Sequence, residues 1–286
     1  MYIHRVHRAY AKINLGLIVR NKRQDGFHNI ETIFHTIDLF DEIGLKESSV
    51  VTVTSSDHAA PGGDVNIAHK AAVLLQRRCR TDRGATIHLE KRIPVGAGLG
   101  GGSSDAAAML RELPAMWGMT LDDRTLQELA LELGSDVPYF LGRGSAYATG
   151  RGERLEYFRL DVPYWILVCH PKIHISTAWA YAQVSPSSRQ IDLRSIVIEG
   201  MSDPAILASR LTNDFEQVVF ARYPAVGRVK EAMLQHGAVF ALMSGSGSSV
   251  FGFFRNEDSL AEAEGFLASV QYPVFRTPPH FSSPSP

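Results

Sequence analysis

The chain has 286 residues, 45% of them hydrophobic and 21% charged, enough to bury a sizeable core in one large domain or two. Its net charge of −1 excludes a global basic field for nucleic acid or anionic lipid, so any phosphate recognition has to be local. No apolar run reaches the roughly 18 residues of a membrane helix. No signal-peptide pattern opens the chain, and Cys79 and Cys169 have no metal or redox spacing. The expectation is a cytoplasmic protein with reduced thiols, no membrane contact and no nucleic-acid partner.

In chain order, Tyr10 to Val19 alternates as a half-buried strand, with Ala11, Ile13, Leu15 and Leu17 on one face and Lys12, Asn14 and Gly16 on the other. A polar turn over Asn21 to Gly26 follows, then strands over Thr32 to Leu39 and Val50 to Thr54. The pattern predicts a helix over Ile67 to Arg80, capped by Asn66, and a strand over Ala85 to Ile93. Helices are predicted over Asp105 to Trp117 and from a capping box at Thr120-Leu-Asp-Asp123 to Leu133, closed by Gly134. Gly142 to Phe158 is Gly-rich with short strand pieces.

A second unit begins near Leu160. It reads as a strand over Tyr164 to Cys169 and a Ser176-capped helix over Thr177 to Val184. An irregular polar stretch spans Ser185 to Ser202, and helices span Ala205 to Phe220 and Val226 to His236. Strands over Val239 to Met243 and Ser249 to Phe254 flank the turn Ser244-Gly-Ser-Gly-Ser248, followed by a helix over Ser259 to Val270 and a strand near Val274. The order is that of an α+β sandwich rather than a doubly wound parallel sheet. The domains are expected at 1–159 and 160–276, with a disordered Pro- and Ser-rich tail at 277–286.

The most informative stretch is Pro94-Val-Gly-Ala-Gly-Leu-Gly-Gly-Gly-Ser-Ser-Asp105, between a predicted strand and a predicted helix. Five glycines and two serines fall within Gly96 to Ser104. Glycines let backbone N–H groups close on a bulky anion, and the helix that follows aims its free N–H groups and positive dipole end at the same point. This is a polyphosphate cradle. Gly96, Gly98 and Gly101 also satisfy G-x-G-x-x-G, but the acidic residues about 20 positions on, Asp122 and Asp123, open a helix instead of ending a strand, which argues against a dinucleotide site. No Gly-Lys-Ser/Thr follows, so the loop is not a P-loop. A plain strand–helix turn needs one or two glycines, not five.

The segment Pro94 to Ala107 resembles the central ATP-binding motif of the GHMP kinases, the superfamily of galactokinase, homoserine kinase, mevalonate kinase and phosphomevalonate kinase. Two flanking segments are similar to its other signatures: Ala9-Tyr-Ala-Lys-Ile-Asn-Leu15 and Leu242-Met-Ser-Gly-Ser-Gly-Ser-Ser-Val250. Within the superfamily, Gly-Leu-Gly-Gly-Gly-Ser-Ser-Asp105, Asp25-Gly-Phe-His28, Gly134-Ser-Asp-Val-Pro-Tyr-Phe140, Gly150-Arg-Gly-Glu153 and Leu211-Thr-Asn-Asp-Phe-Glu216 resemble the kinases of 4-diphosphocytidyl-2-C-methyl-D-erythritol. Phe27 stands where that branch has mostly Tyr. The exchange keeps an aromatic face and loses a hydroxyl.

The resemblance implies a two-lobed α+β kinase, with a ribosomal-S5-like N-terminal lobe, a ferredoxin-like C-terminal lobe, and ATP with Mg²⁺ meeting the substrate between them. It makes Lys12 and Asp136 the candidate catalytic residues. Asp136 serves either as general base or as an orienting group, with Lys12 stabilising the developing charge. Pro94, Val95, Gly96, Ala97, Gly98, Leu99, Gly100, Gly101, Gly102, Ser103 and Ser104 are the candidate ATP-binding residues. Asn14, Phe27, His28, Thr177, Tyr181, Gly245 and Gly247 are the candidate substrate-binding residues, with Phe27, His28 and Tyr181 forming a cytidine pocket. No structural metal is expected, because the eleven histidines show no zinc spacing. The protein is expected to be a monomer or weak homodimer. A kinase for another small alcohol such as homoserine or mevalonate, or a non-catalytic nucleotide-binding regulator on the same fold, is the competing reading. Asp25-Gly-Phe-His28 argues against the first, and the presence of both Lys12 and Asp136 against the second.

Overall fold

In the computed structural model, which describes residues 5–57, 59–60 and 62–284, two long strands organise the first lobe. β1 (Arg5–Lys22) and β2 (His28–Ser48) form an antiparallel ribbon, from Arg5 opposite Leu45 to Lys22 opposite His28. The other edge of β2 is shared. Thr32–His35 pairs with β5 (Ser145–Thr149), and Glu42–Ser48 pairs with β4 (Gly84–Glu90). β3 (Thr52–Ser55) lies parallel to β4, and β6 (Arg154–Phe158) antiparallel to β5. The sequence marks only the middle of β1 and of β2 as strand, and alternation marks only the first. Residues 32–37 of β2 are buried on both faces, so no period of two marks them there.

α1 (Ile67–Cys79), α2 (Gly101–Met116) and α3 (Asp123–Leu133) cover one face of this sheet. Asn66 caps α1, its side chain accepting from Ala68 N–H at 2.8 Å. α3 is capped by Asp122, which accepts from Thr125 N–H at 2.7 Å, and not by Thr120. α2 starts four residues before the expected Asp105. Gly100 turns the chain at φ 74° and its carbonyl accepts from Ser104 N–H at 2.9 Å, so Gly101 to Ser104 form the first helical turn despite their poor helix propensity. Ala106, Ala107 and Ala108 let α2 lie close to the elements beneath it.

The second lobe is a four-stranded antiparallel sheet of β7 (Trp165–Cys169), β8 (Phe240–Met243), β9 (Val250–Phe254) and β10 (Val274–Thr277), in the order β10-β7-β9-β8. That is the ferredoxin-like order. Around it lie α4 (Thr177–Gln183), α5 (Leu193–Gly200), α6 (Pro204–Arg210), α7 (Phe215–Arg222), α8 (Pro224–Gln235) and α9 (Glu257–Ser269).

Two sequence expectations fail here. The stretch taken as irregular contains α5, whose buried Leu193, Ile196, Val197 and Gly200 follow helical spacing, and whose cap is Asp192 on Ser195 N–H at 3.0 Å. The single helix expected over Ala205 to Phe220 is broken at Leu211–Asp214, because that segment bonds to β1. Leu17 N–H donates to Thr212 O, and Asp214 N–H to Leu17 O, both at 2.9 Å.

Three apolar cores stack through the molecule. One lies between the first sheet and α1–α3. The second is formed jointly by both sheets, with Ile13, Ile33 and Ile37 of the first against Ile166, Phe251 and Phe253 of the second. The third lies between the second sheet and α7–α9. The lobes therefore meet through a shared hydrophobic layer.

The tail expected to be disordered is anchored as far as Phe281, and positions 285 and 286 lie outside the described residues. Thr277 Oγ1 accepts from Asp38 N–H at 3.0 Å, His280 N–H donates to Val162 O at 2.8 Å, and Phe281 sits 5.9 Å from the Tyr10 ring. Composition suggested a solvated tail, but Thr277, His280 and Phe281 each find partners in the body of the molecule.

Candidate active site

The glycine loop alternates. Ala97 and Leu99 are buried in the core between the lobes, while Gly96, Gly98 and Gly100 face the cleft with φ of 67°, 79° and 74°. Backbone bonds tie the loop to both lobes. Lys12 N–H donates to Leu99 O at 3.0 Å, and Ser249 N–H to Ala97 O at 3.2 Å. A Cβ at Gly98 would lie 2.3 Å from Ser244 O, and one at Gly100 would lie 2.7 Å from the Phe140 ring. These two positions accept no side chain. Gly101 is a packing glycine, because its Cβ would meet Ile93 at 2.8 Å. Gly102 has room, with Ile67 at 3.4 Å.

Lys12 and Asn14 lie on β1 between two interruptions of its ladder with β2, one after Tyr10 and one after Asn14. Such irregularities re-aim side chains, and here they turn both residues to the loop. Lys12 is 3% exposed. Its Nζ donates to Asn14 Oδ1 at 2.7 Å and Gly98 O at 3.3 Å, lies 3.5 Å from Asp136 Oδ2, and sits 5.0 Å from the centre of the Phe34 ring. Burial lowers the Lys12 pKa, and the Asp136 carboxylate only partly opposes that. Asp136 precedes the short 3-10 turn Val137–Leu141, but its side chain makes no capping hydrogen bond and is 34% exposed. Asn14 is held from three sides. It donates Nδ2–H to Thr32 Oγ1 at 2.9 Å, accepts from Lys12, and its backbone N–H donates to Ser244 Oγ at 3.3 Å.

Two cavities open on this point. A cleft of about 990 Å³ runs between the lobes past Lys12, Asn14 and Asp136. A second, of about 330 Å³, lies against Pro94 to Gly98, Gly100 to Ser103, Asn66 and Lys91. Gly96, Gly98 and Gly100 line both. A phosphorylated ligand on one side and an alcohol on the other would meet at that seam.

The structure gathers most of the expected substrate-side residues on the larger cleft: Phe27, His28, Thr177, Tyr181 and Gly245. Thr177 Oγ1 lies 3.1 Å from Ser246 Oγ, joining the start of α4 to the β8–β9 turn. A Cβ on Gly245 would sit 3.4 Å from Asn14 Oδ1. Gly247 is not brought to the cleft. Its Cβ position points at Met243 Sδ, 2.8 Å away, and Ile175, so glycine is needed there for packing. The aromatic arrangement also differs from a simple clamp of Phe27 and Tyr181. Tyr181 stacks on His28 at 5.1 Å and 19°, and Phe27, 48% exposed, carries the Arg151 guanidinium 4.4 Å from its ring centre. Burial lowers the pKa of His28, and burial with the Asp136 charge raises that of Tyr181.

Several residues that order the site carry no signal on their own in the sequence. Ser244 Oγ donates to Gly98 O at 2.9 Å. Asn213 Nδ2 donates to Met243 O and Gly245 O, at 2.7 and 2.8 Å, holding the β8–β9 turn. Beneath the glycine loop, Lys91 pairs with Asp41 and with Asp105. Only the positions of Ser244 in Leu242–Val250, of Asn213 in Leu211–Glu216 and of Asp105 in the loop motif pointed toward them.

The GHMP kinases N-terminal domain model matches residues 66–144, and the GHMP kinases C-terminal model matches 197–272. The chain is 43% identical to 4-diphosphocytidyl-2-C-methyl-D-erythritol kinase of Chlorobium phaeobacteroides, over 96% of this chain and 95% of that one. It is 44% identical to the same kinase of Prosthecochloris aestuarii, over 96% and 97%. A crystal structure of 4-(cytidine 5'-diphospho)-2C-methyl-D-erythritol kinase superposes with a TM-score of 0.81 at 34% identity, covering 96% of this chain and 98% of that one. Homoserine kinase from Cytophaga hutchinsonii shares the fold alone, with a TM-score of 0.70 at 19% identity over 98% and 96% of the two chains. Among the described residues, no helix is long and apolar enough to cross a membrane. With two matched domains and relatives more than 40% identical over nearly its whole length, the chain belongs to the GHMP kinase family, in the branch of the 4-diphosphocytidyl-2-C-methyl-D-erythritol kinases.

Proposed function

We infer that the chain transfers the γ-phosphoryl group of ATP to the 2-hydroxyl of 4-diphosphocytidyl-2-C-methyl-D-erythritol, in the cytoplasm. The observation that carries this reading is the seam at Gly96, Gly98 and Gly100, where the two cavities meet beside Lys12 and Asp136. The triphosphate lies on the free N–H groups at the start of α2, and the cytidyl end lies in the cleft by Phe27, His28 and Tyr181. Mg²⁺ bound with the nucleotide would supply charge neutralisation for the phosphates; Ser103, which lines the smaller cavity, would offer it a hydroxyl oxygen, while the Ser104 hydroxyl is buried beneath.

Asp136 takes the proton of the acceptor hydroxyl. Its carboxylate is free of capping duty and open to the cleft. Lys12 stabilises negative charge on the oxygen as the proton leaves and as the phosphoryl group arrives. Burial makes this interaction stronger than it would be in water. Asn14 and Gly98 O fix the direction of the Lys12 ammonium. His28 and neighbouring backbone read the edge of the base, and aromatic faces stack on its ring.

A coupled ADP-release assay across a small panel tests the assignment. The cytidyl substrate is expected to give turnover, with homoserine, mevalonate and galactose near background. Turnover on one of the other alcohols, and none on the cytidyl compound, would sink the substrate assignment while leaving a kinase.

A further inference from the structure

Lys91, Asp41 and Asp105 form a buried charge cluster under the glycine loop that the catalytic account does not use. The three side chains are 4%, 0% and 3% exposed. They come from three elements: Asp41 from β2, Lys91 from the exit of β4, and Asp105 from the second turn of α2. Lys91 Nζ donates to Asp105 Oδ2 at 2.7 Å and also to Asp41 Oδ2. Asp41 Oδ1 accepts from the N–H groups of Arg92 and Ile93, at 2.6 and 2.9 Å, so the cluster fixes the chain just where it enters the loop. Lys91 and Asp105 both line the smaller cavity. Asp105 Oδ1 is buried with no hydrogen-bond partner among the described residues, so Lys91 is the group that compensates its charge.

We propose that Lys91 is a positioning residue for the nucleotide: its ammonium holds β2, the loop entrance and α2 in register, and cancels carboxylate charge that would otherwise repel a polyphosphate at the start of α2. With both acids ionised the cluster carries one positive charge against two negative. Burial, with Asp41 close by, raises the Asp105 pKa in spite of Lys91 beside it, so the ionised form of Asp105 depends on that ammonium. Asp105 is then a cost to polyphosphate binding, and Lys91 is what makes that cost bearable.

This rests on reading the smaller cavity as the ATP side, and opposite charge changes test it. Lys91→Met removes the ammonium and leaves two buried acids with no cation between them. Asp105→Asn keeps the shape and leaves one matched pair. ATP affinity is measured by calorimetry, and kcat and KM for both substrates by ADP release, each beside a thermal melt. The expected result is that Lys91→Met raises the ATP Kd by roughly tenfold or more, while Asp105→Asn leaves it within about twofold or tightens it. The double variant falls between, and the KM for the cytidyl substrate stays near wild type throughout. A cluster that only supports the fold would instead lower both melting temperatures and move both substrates together, or weaken ATP in both variants. Either pattern overturns the proposal. Should Lys91→Met not fold, Asp105→Asn decides alone, and a roughly tenfold loss of ATP affinity in it refutes the electrostatic role. Wild-type protein that binds no ATP would sink the functional reading itself, a result distinct from all of these.

Discussion

At the scale of single residues, the site depends on which polar groups are committed and which are left open. Lys12 has its ammonium committed to Asn14 and Gly98 O, at 2.7 and 3.3 Å, and faces Asp136 at 3.5 Å. Asp136 keeps an open carboxylate. Asp136→Asn is therefore expected to lower kcat by about 10²–10⁴ with little change in ATP affinity, since a positioned base contributes about that much. Single-turnover rates and ATP titration on one sample check it, and near-normal turnover would remove Asp136 from the chemistry. Both residues were named from motif context alone. A lysine on the polar face of a strand and an aspartate before Val-Pro read equally well as a solvated charge and a cap. Burial at 3% and an absent cap bond separate those readings, and neither is visible in the sequence. Gly247 shows the converse. It shares a motif with Gly245, yet its need for glycine comes from Met243 and Ile175.

At the scale of elements, the start of α2 carries the phosphate reading. Its first turn, Gly101 to Ser104, was legible as a glycine-rich loop but not as helix. Propensity opposes helix there, and the turn at Gly100 imposes it. α5 was hidden for a related reason, since the polar residues around it masked an apolar stripe of only four positions. α1 was legible because its buried Ala68, Ala71, Ala72 and Leu75 keep helical spacing, whereas β7, β8 and β9, buried almost throughout, were legible as short apolar runs bounded by turns.

Gly102 separates phosphate binding from packing, because its Cβ position is 3.4 Å from Ile67 and otherwise open. Gly102→Ala is expected to leave the melting temperature unchanged or slightly higher, as Ala favours helix by up to about 1 kcal/mol. ATP binding should weaken by roughly ten- to a hundredfold if the methyl displaces one hydrogen bond to a charged phosphate, worth about 1.5–3 kcal/mol. Calorimetry beside a melt reads both. Unchanged affinity would mean that the N–H groups of this turn do not hold the nucleotide.

At the scale of the whole molecule, the two sheets divide between Phe158 and Trp165 in the chain but share one apolar core; Thr277 at the end of β10 and Phe281 reach Asp38 and Tyr10 of the first lobe, and His280 bonds to Val162 between the sheets. An interface of this apolar character couples the lobes. Calorimetric unfolding is expected as a single transition with equal calorimetric and van't Hoff enthalpies. Two resolved transitions would show that the lobes fold independently. Coupling also keeps the two cavities in register at Gly96, Gly98 and Gly100.

The central claim is that these two sides meet to phosphorylate an alcohol, and phosphorus NMR of a reaction mixture tests it most directly. The account predicts loss of the ATP γ resonance and growth of one phosphate monoester signal, with the substrate's diphosphate resonances kept. That signal should lack three-bond proton coupling, because carbon 2 of the acceptor bears a methyl group and no hydrogen. Inorganic phosphate as the sole new species, or a monoester split by neighbouring protons, would contradict it.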